Sequence, residues 1–512
     1  MSEPDRLKRE RLKKRDALVE IGVDPYGRRF DDVTPIDEVR SKADPLALEP
    51  GEKAPDLRVR VAGRIALLRV MGKLAFLTVH DRTGKLQFGL SKAELGDFWP
   101  VVKKLDLGDI IGAEGIIGKT KTGELTLWAS EVTLLCKSLR PPPEKWHGLT
   151  DVELRYRQRY VDLFTNADVR DVFRQRSEII HAIREYLVSC GYLEVETPVL
   201  QPIYGGAAAR PFTTHHNTLG LDLFLRISPE LYLKRLLVGG MERVFEISRN
   251  FRNEGISTRH NPEFTMIELY EAYADYQVMM ERVEGMFVAA IDRAGGGYVR
   301  PFGDFKLDFK PPWRRAKYAD LLREHAGVQM SDRQSVFAKA NELGIYQKMI
   351  RLLGKPDIFA EDAAQGSLID HDVLVDAVFE ATVEEHLVQP TFVYDYPAAI
   401  CPLTRRHPQD DSIALRFEAF TAGMEIGNAY TELNDPEIQH ANLRRQVAGE
   451  GDETMAVMDE DFIAALEYGM PPAGGLGVGI DRLVMLLTNS RSIRDVILFP
   501  LSRPQEQRAN SE

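Results

Sequence analysis

Pro141-Pro142-Pro143 constrains the fold of this chain more than any other feature. Three successive prolines supply no backbone donor and hold a stiff extended segment, so neither a helix nor a sheet runs through them. The chain therefore reads as two regions of different texture. Before the prolines, from residue 57 to about 139, strands are short. Residues 59–65 alternate, 75–80 run into the turn Asp81-Arg82-Thr83-Gly84, and 85–90 follow as the hairpin partner. Residues 109–117 and 124–128 supply two more strands, and 132–135 a further edge piece. After the prolines, Arg155 to Tyr160 opens a long mixed region. Ile179, Ile180, Ile183 and Leu187 stand at helical spacing, Gly191 stops that helix, and 192–197 read as a strand ending at Pro198. A chain of 512 residues is too long for one core, so two or three domains are expected.

About five strands in about 80 residues predict a small closed barrel of the OB type, a fold that commonly binds single-stranded nucleic acid. Phe76, Phe88 and Trp128 are then either base-stacking platforms or core fillers. Arg60, Arg64, Arg69 and Lys73 are candidates to meet phosphates. Ahead of the barrel lie a basic helix and a Pro/Gly/Asp-rich connector. Arg6 to Arg15 carries seven Lys/Arg against one Glu, which is either a solvated helix face or a local nucleic-acid patch. A net charge of −12 argues against a general nucleic-acid coat but not against such a patch. No run reaches the roughly 18 apolar residues that span a membrane. Asp5, Arg6, Lys8 and Arg9 leave no apolar signal-peptide core at the start. Cys136, Cys190 and Cys401 lie too far apart for a disulfide framework or a zinc set, so a reducing, cytoplasmic location is expected.

Three stretches carry the chemistry. In residues 246–254 the even positions Glu246, Ser248, Asn250, Arg252 and Glu254 are all polar or charged, and the odd ones mostly apolar. A strand this charged on one face either meets solvent or lines a site. Residues 264–270 form a second strand with Phe264, Glu268 and Tyr270 on one face. The two pair antiparallel across a loop holding Arg259 and His260. The Arg252 guanidinium suits a phosphate or a carboxylate. In residues 416–428, a two-residue turn at Ala422-Gly423 sets Phe420 opposite Glu425 and Glu418 opposite Gly427, so Glu418 and Glu425 become diagonal neighbours. Two carboxylates that close repel unless a cation lies between them, and hard oxygen ligands suit magnesium shared with substrate phosphates. A bulge at Gly427 would bring Asn428 and Glu432 to the same face as Glu425. Residues 476–487 read as a glycine-rich strand entering an apolar helix, with Arg482 at the helix start able to reach a phosphate or a base. Three look-alikes fail. Gly118-Lys119-Thr120 lacks the earlier P-loop glycine, since position 113 is alanine. The glycines at 474–479 lack dinucleotide-binding spacing, and His215-His216 has no third metal ligand at a recognisable spacing.

Together these stretches resemble the three signature motifs of class II aminoacyl-tRNA synthetases. Residues 191–198 resemble motif 1 with its closing proline, Phe251-Arg252-Asn253-Glu254 motif 2, and Gly477-Val478-Gly479-Ile480-Asp481-Arg482 motif 3. The class I signatures HIGH and KMSKS are absent. Ser228-Pro229-Glu230-Leu231-Tyr232-Leu233-Lys234, Arg259-His260-Asn261-Pro262-Glu263-Phe264 and Glu432-Leu433-Asn434-Asp435 are similar to the bacterial lysine–tRNA ligases in particular. The resemblance implies an α+β fold: a class II antiparallel sheet flanked by helices, behind an N-terminal OB-fold barrel. The implied domains are 1–56 (basic helix and connector), 57–140 (anticodon-binding barrel), 141–165 (linker), 166–505 (catalytic domain) and 506–512 (tail).

The resemblance also implies ATP-dependent ligation of L-lysine to tRNA(Lys) through lysyl-adenylate, with Mg2+, in a homodimer built on motif 1. By the same resemblance Arg252, Glu254 and Arg482 are catalytic. Arg252, Glu254, His260, Phe264, Glu418, Glu425 and Arg482 bind ATP, with Glu418 and Glu425 holding the metal. Gly206, Glu230, Arg252, Glu268, Tyr270, Asn428 and Glu432 bind lysine, and Phe76 and Gln87 meet the anticodon. The lysine pocket makes independent physical sense. Carboxylates with a tyrosine hydroxyl suit a buried ammonium, and leaving it unpaired would cost roughly 3–5 kcal/mol. Two other readings share these motifs. A paralogue that lysylates an elongation factor lacks the barrel. A nucleic-acid-binding protein with a decayed synthetase domain should have lost Arg252, Glu418, Glu425 or Arg482.

Overall fold

The computed structural model describes residues 3–143, 149–207, 209–352, 369–447 and 458–502, so the expected tail 506–512 lies outside the described residues. The chain divides into two units, Met1–Thr150 and Asp151–Glu512. No helix among the described residues is long and apolar enough to cross a membrane.

In the first unit, β1 (Lys53–Met71), β2 (Leu74–His80), β3 (Lys85–Ser91), β4 (Ile110–Lys119) and β5 (Leu125–Cys136) close a barrel in the order β1-β2-β3-β5-β4. The segments expected as two strands, 124–128 and 132–135, are one. Gly115 pairs with Ala129 and Glu114 with Glu131, so Ser130 is an extra residue. That bulge breaks the alternation and makes one strand read as two. Inward residues such as Val61, Leu77, Phe88 and Leu127 fill the barrel, and Phe88 is therefore a core filler. Helix Glu3–Glu20 contributes Leu18 to the same core, and helix Ile36–Ala43 contributes Ile36 and Val39. Of the basic side chains near the start, Arg11 donates to the Ser138 and Arg140 carbonyls, and Lys14 lies 2.5 Å from Asp106.

In the second unit, three short strands, β7 (Leu200–Gln201), β8 (Thr213–His216) and β9 (Leu221–Leu225), form a small sheet of their own. β12 (Val299–Phe302) and β13 (Phe305–Asp308) form a hairpin. The main sheet has nine strands among the described residues. They are β6 (Leu193–Glu194), β10 (Arg243–Phe251), β11 (Glu263–Ala272), β14 (Arg314–Lys317), β15 (Thr391–Pro397), β16 (Arg406–His407), β17 (Asp410–Thr421), β18 (Met424–Thr431) and β19 (Ala473–Gly479). Their order is β14-β15-β17-β18-β19-β11-β10-β6, with β16 beside β17. Only β14–β15 and β10–β6 pair in parallel. Helices Ala167–Ser189, Tyr276–Ala294 and Ile480–Thr488 cover one face of this sheet. Ile183, Phe287 and Leu483 share a core there with Phe245, Ile267, Leu269 and Val478. On the opposite face two smaller apolar clusters, one holding Val244 and Tyr270 and the other Val393 and Phe420, pack beside the polar side chains from which the site is built.

Candidate active site

Strand register assembles the site as rows across the sheet. Glu246 pairs with Glu268, Glu268 with Gly477, Gly477 with Asn428 and Asn428 with Glu418. The next row runs Val244, Tyr270, Gly475, Tyr430 and Arg416. Residues opposite one another on adjacent strands project to the same face, so side chains far apart in the chain, such as Glu246 and Asn428, converge. The charged face of β10 is not solvated: Glu246, Ser248 and Asn250 are all buried.

The hairpin β17–β18 turns at Ala422-Gly423, both with positive φ (55° and 66°), the two-residue geometry expected for a tight hairpin. Phe420 lies opposite Glu425 as expected, but Ala419 then pairs with Gly427, so the extra residue is Ile426. The bulge falls one position earlier than anticipated, and Glu418 faces Asn428 rather than Gly427. It still places Asn428 beside Glu425 at the cavity wall. The reason lies across the sheet: a Cβ on Gly427 would meet the Gly477 carbonyl oxygen at 2.7 Å, so Gly427 is fixed in the ladder by the close approach of β19.

Two cavities open on this face, of about 190 and 160 Å3, and Arg252, Met266, Asn428 and Gly477 line both. Gly206, Glu230, Glu268 and Tyr270 line the first. Glu254, His260, Phe264, Glu425 and Arg482 line the second. Glu432 lines neither. It is fully buried behind Gly475, where Lys234 Nζ lies 2.6 Å from its Oε2. A Cβ on Gly475 would come within 1.9 Å of Glu432 Oε1, so only glycine leaves that carboxylate its place. The carboxylate expected free in the pocket is thus already in an ion pair.

The electrostatics follow from burial. Glu268 accepts from Ser228 Oγ at 2.8 Å and from the Tyr270 hydroxyl at 3.2 Å. Burial, and then the charge of Glu230, push its pKa up to about 8. Burial also raises Glu432, with Lys234 opposing it. Glu418 is pushed up to about 7 by burial, with Arg416 opposing and Glu425 adding to the rise. Its oxygens accept from the Tyr396 hydroxyl at 2.9 Å and from Arg416. Arg482 donates to the Glu425 carboxylate at 3.0 Å and to its carbonyl at 2.5 Å. Burial, then Arg482, lowers the His260 pKa. A neutral ring fits its bonds: Nε2 accepts from Arg482 at 3.1 Å, and Nδ1 lies 3.0 Å from Ser257 Oγ. The Arg252 guanidinium lies 5.2 Å from the Phe264 ring centre. Phe264 and Arg482 share the second cavity, but the cation on the Phe264 ring is that of Arg252. No three His, Cys, Asp or Glu side chains cluster as a metal site among the described residues.

In the barrel, Phe76, Gln87 and Trp128 lie on the outer face of β2, β3 and β5. Phe76 pairs with Gly89 and Gly89 with Trp128. The Phe76 and Trp128 rings meet edge to face at 6.0 Å, and Gln87 Nε2 donates to Thr126 Oγ1 at 2.9 Å. Arg60 lies over the Phe30 ring at 3.9 Å, and Arg64 donates to the Gly108 carbonyl at 2.8 Å. Arg69 and Lys73 are exposed.

Residues 151–503 match the family described as tRNA synthetases class II (D, K and N), and residues 59–135 match the OB-fold nucleic acid binding domain. The chain is 48% identical over 510 residues to a lysine–tRNA ligase of Carboxydothermus hydrogenoformans, covering 98% of this chain and 99% of that one. It is 49% identical to the lysine–tRNA ligase of Pelotomaculum thermopropionicum, covering 99% and 96%. This chain belongs to the class II tRNA synthetases, in the lysine–tRNA ligase family. Sequence reasoning had placed most of the synthetase's cavity walls but missed several residues. Ser228, which donates to Glu268, carries no signal of its own in the sequence. Arg416 was passed over beside Glu418, although it lines the first cavity and its guanidinium lies 4.8 Å from the Tyr396 ring and 5.4 Å from the Tyr430 ring. Lys234, four residues after Glu230, reads like an ordinary surface pair on a helix.

Proposed function

We infer that this synthetase activates L-lysine with ATP and passes it to tRNA(Lys). The lysine carboxylate attacks the α-phosphorus in line, and pyrophosphate leaves. The tRNA 3′ end then takes the lysyl group and AMP is released. One observation carries the choice of amino acid: the charge around the first cavity. Glu230, Glu268 and Glu432 bring three carboxylates, of which Lys234 pairs with two; of the arginines that also line this cavity, Arg416 pairs with Glu418 and Arg252 is left for the substrate carboxylate. Lysine brings two further ammoniums, one at each end, whereas a neutral or acidic side chain would leave buried carboxylates without a counter-charge.

In this reading Gly206 and Glu230 receive the α-amino group, and Arg252 and Asn428 the carboxylate. Glu268 and Tyr270 receive the distal ammonium, with Glu432 behind them. Arg252, Glu254, His260, Phe264 and Arg482 hold ATP, and Arg252 keeps the attacking carboxylate against the α-phosphate. Glu418 and Glu425 fit magnesium: both are hard oxygen donors, and burial, then the charge of Glu425, raise the Glu418 pKa even though Arg416 opposes the rise. These two side chains would hold the ion and would leave its other positions to phosphate oxygens and water. When bound, the ion supplies neutralising charge to the phosphates. No protein nucleophile or general base is required; the side chains position and neutralise. Phe76 and Gln87 meet the anticodon bases, with Arg69 and Lys73 near phosphates.

Pyrophosphate exchange measured against each of the twenty amino acids is expected to respond to lysine. Glu418→Gln should lower that exchange by on the order of a hundredfold, while leaving tRNA binding largely intact. Failure of lysine to support exchange would end this reading.

A further inference from the structure

The most deeply buried charge near the lysine cavity is Lys234. It sits one turn after Glu230 in the helix Glu230–Val238 and is fully buried, although lysine is rarely so unless paired. Its Nζ lies 2.5 Å from Glu230 Oε1 and 2.6 Å from Glu432 Oε2, and 6.0 Å from the Tyr270 ring centre. The two acids reach it from separate elements, the helix and the segment following β18. Each gives Lys234 one oxygen. Neither Glu432 oxygen makes a well-aligned hydrogen bond among the described residues: Oε2 is held by its charge contact with Lys234, and Oε1 is buried beside Gly475. Gly475 itself lines the first cavity, as does Glu230.

We propose that Lys234 is a positioning residue that sets selectivity for an amino acid with a distal ammonium. It pins one oxygen of Glu230 and one of Glu432, which leaves the other Glu230 oxygen as an acceptor at the cavity wall and holds Glu432 as a fixed charge behind Gly475. The inference rests on the lysine-ligase reading above. Lys234 is not among the lining residues and need not touch substrate. Burial works against its charge, but Glu230 and Glu432 outweigh burial and raise its pKa, so it stays an ammonium. Without it, three neighbouring carboxylates would repel and share protons rather than present fixed acceptors.

The test uses full-length wild type and Lys234→Met in pyrophosphate exchange with lysine and with norleucine, the isostere lacking the terminal ammonium. The expected result is a rise of at least tenfold in KM for lysine, a KM for ATP within twofold of wild type, and a fall of at least tenfold in the lysine-to-norleucine ratio of kcat/KM. An unchanged ratio, with or without a general loss of activity, overturns the proposal. If Lys234→Met does not fold, Lys234→Met with Glu432→Gln is compared with Glu432→Gln alone, and a ratio no lower in the double variant than in the single one overturns the proposal. A wild type without lysine-dependent exchange would fail the underlying reading, whereas an active wild type with an unmoved ratio in the variant fails only the role of Lys234.

Discussion

At the scale of single residues, Glu268 turns burial into a measurable proton. Its pKa of about 8 in the folded protein compares with about 4.3 for an unfolded glutamate. Between those values the folded state holds a proton that the unfolded chain has lost, so this group makes the free protein less stable as pH rises through that window. A bound ammonium favours the carboxylate and reverses the preference. Lysine binding at pH 7 is therefore expected to release protons, and lysine affinity to rise from pH 6 to pH 8. Isothermal titration in buffers of different ionisation enthalpy measures this directly, and proton uptake would contradict it. Glu268→Gln should diminish the release and lower kcat/KM for lysine by on the order of a hundredfold, equivalent to about 3 kcal/mol.

At the scale of elements, the site was legible wherever chemistry followed a strand period. The alternation of Glu246 to Arg252, the Ala422-Gly423 turn and the Phe264–Tyr270 face each fixed which side chains share a surface. What remained illegible depends on neighbours that no local pattern reveals. The bulge at Ile426 is located by β19, and the fate of Glu432 by a lysine almost 200 positions earlier. The two-strand reading of β5 failed for the same reason, because Ser130 interrupts the alternation. In the barrel, the inward or outward direction of the aromatics was the open question. Phe88 packs inside while Phe76 and Trp128 face out. Phe76→Ala should therefore weaken tRNA(Lys) binding by about 1–3 kcal/mol without altering lysine-dependent pyrophosphate exchange. A filter-binding titration that left affinity unchanged would remove Phe76 from the anticodon contacts.

At the scale of the whole molecule, the two units have separate cores. Calorimetry is expected to resolve two unfolding transitions, of which lysine with ATP raises one and an anticodon stem-loop the other. A ligand at about a hundred times its Kd adds roughly 2.7 kcal/mol to the unit that binds it. If both ligands raised the same transition, binding would not divide between the units as inferred. The strand order has a further consequence in time. β19 lies between β18 and β11, yet it is the last of these strands in the chain. The barrel has all its strands once Cys136 has emerged from the ribosome. At about 5–20 residues per second, the sheet waits on the order of half a minute longer for its central strand. Until Gly479 arrives, β11 and β18 each present an unpaired edge, and a chain cut short before residue 473 lacks not a margin of this active site but its middle.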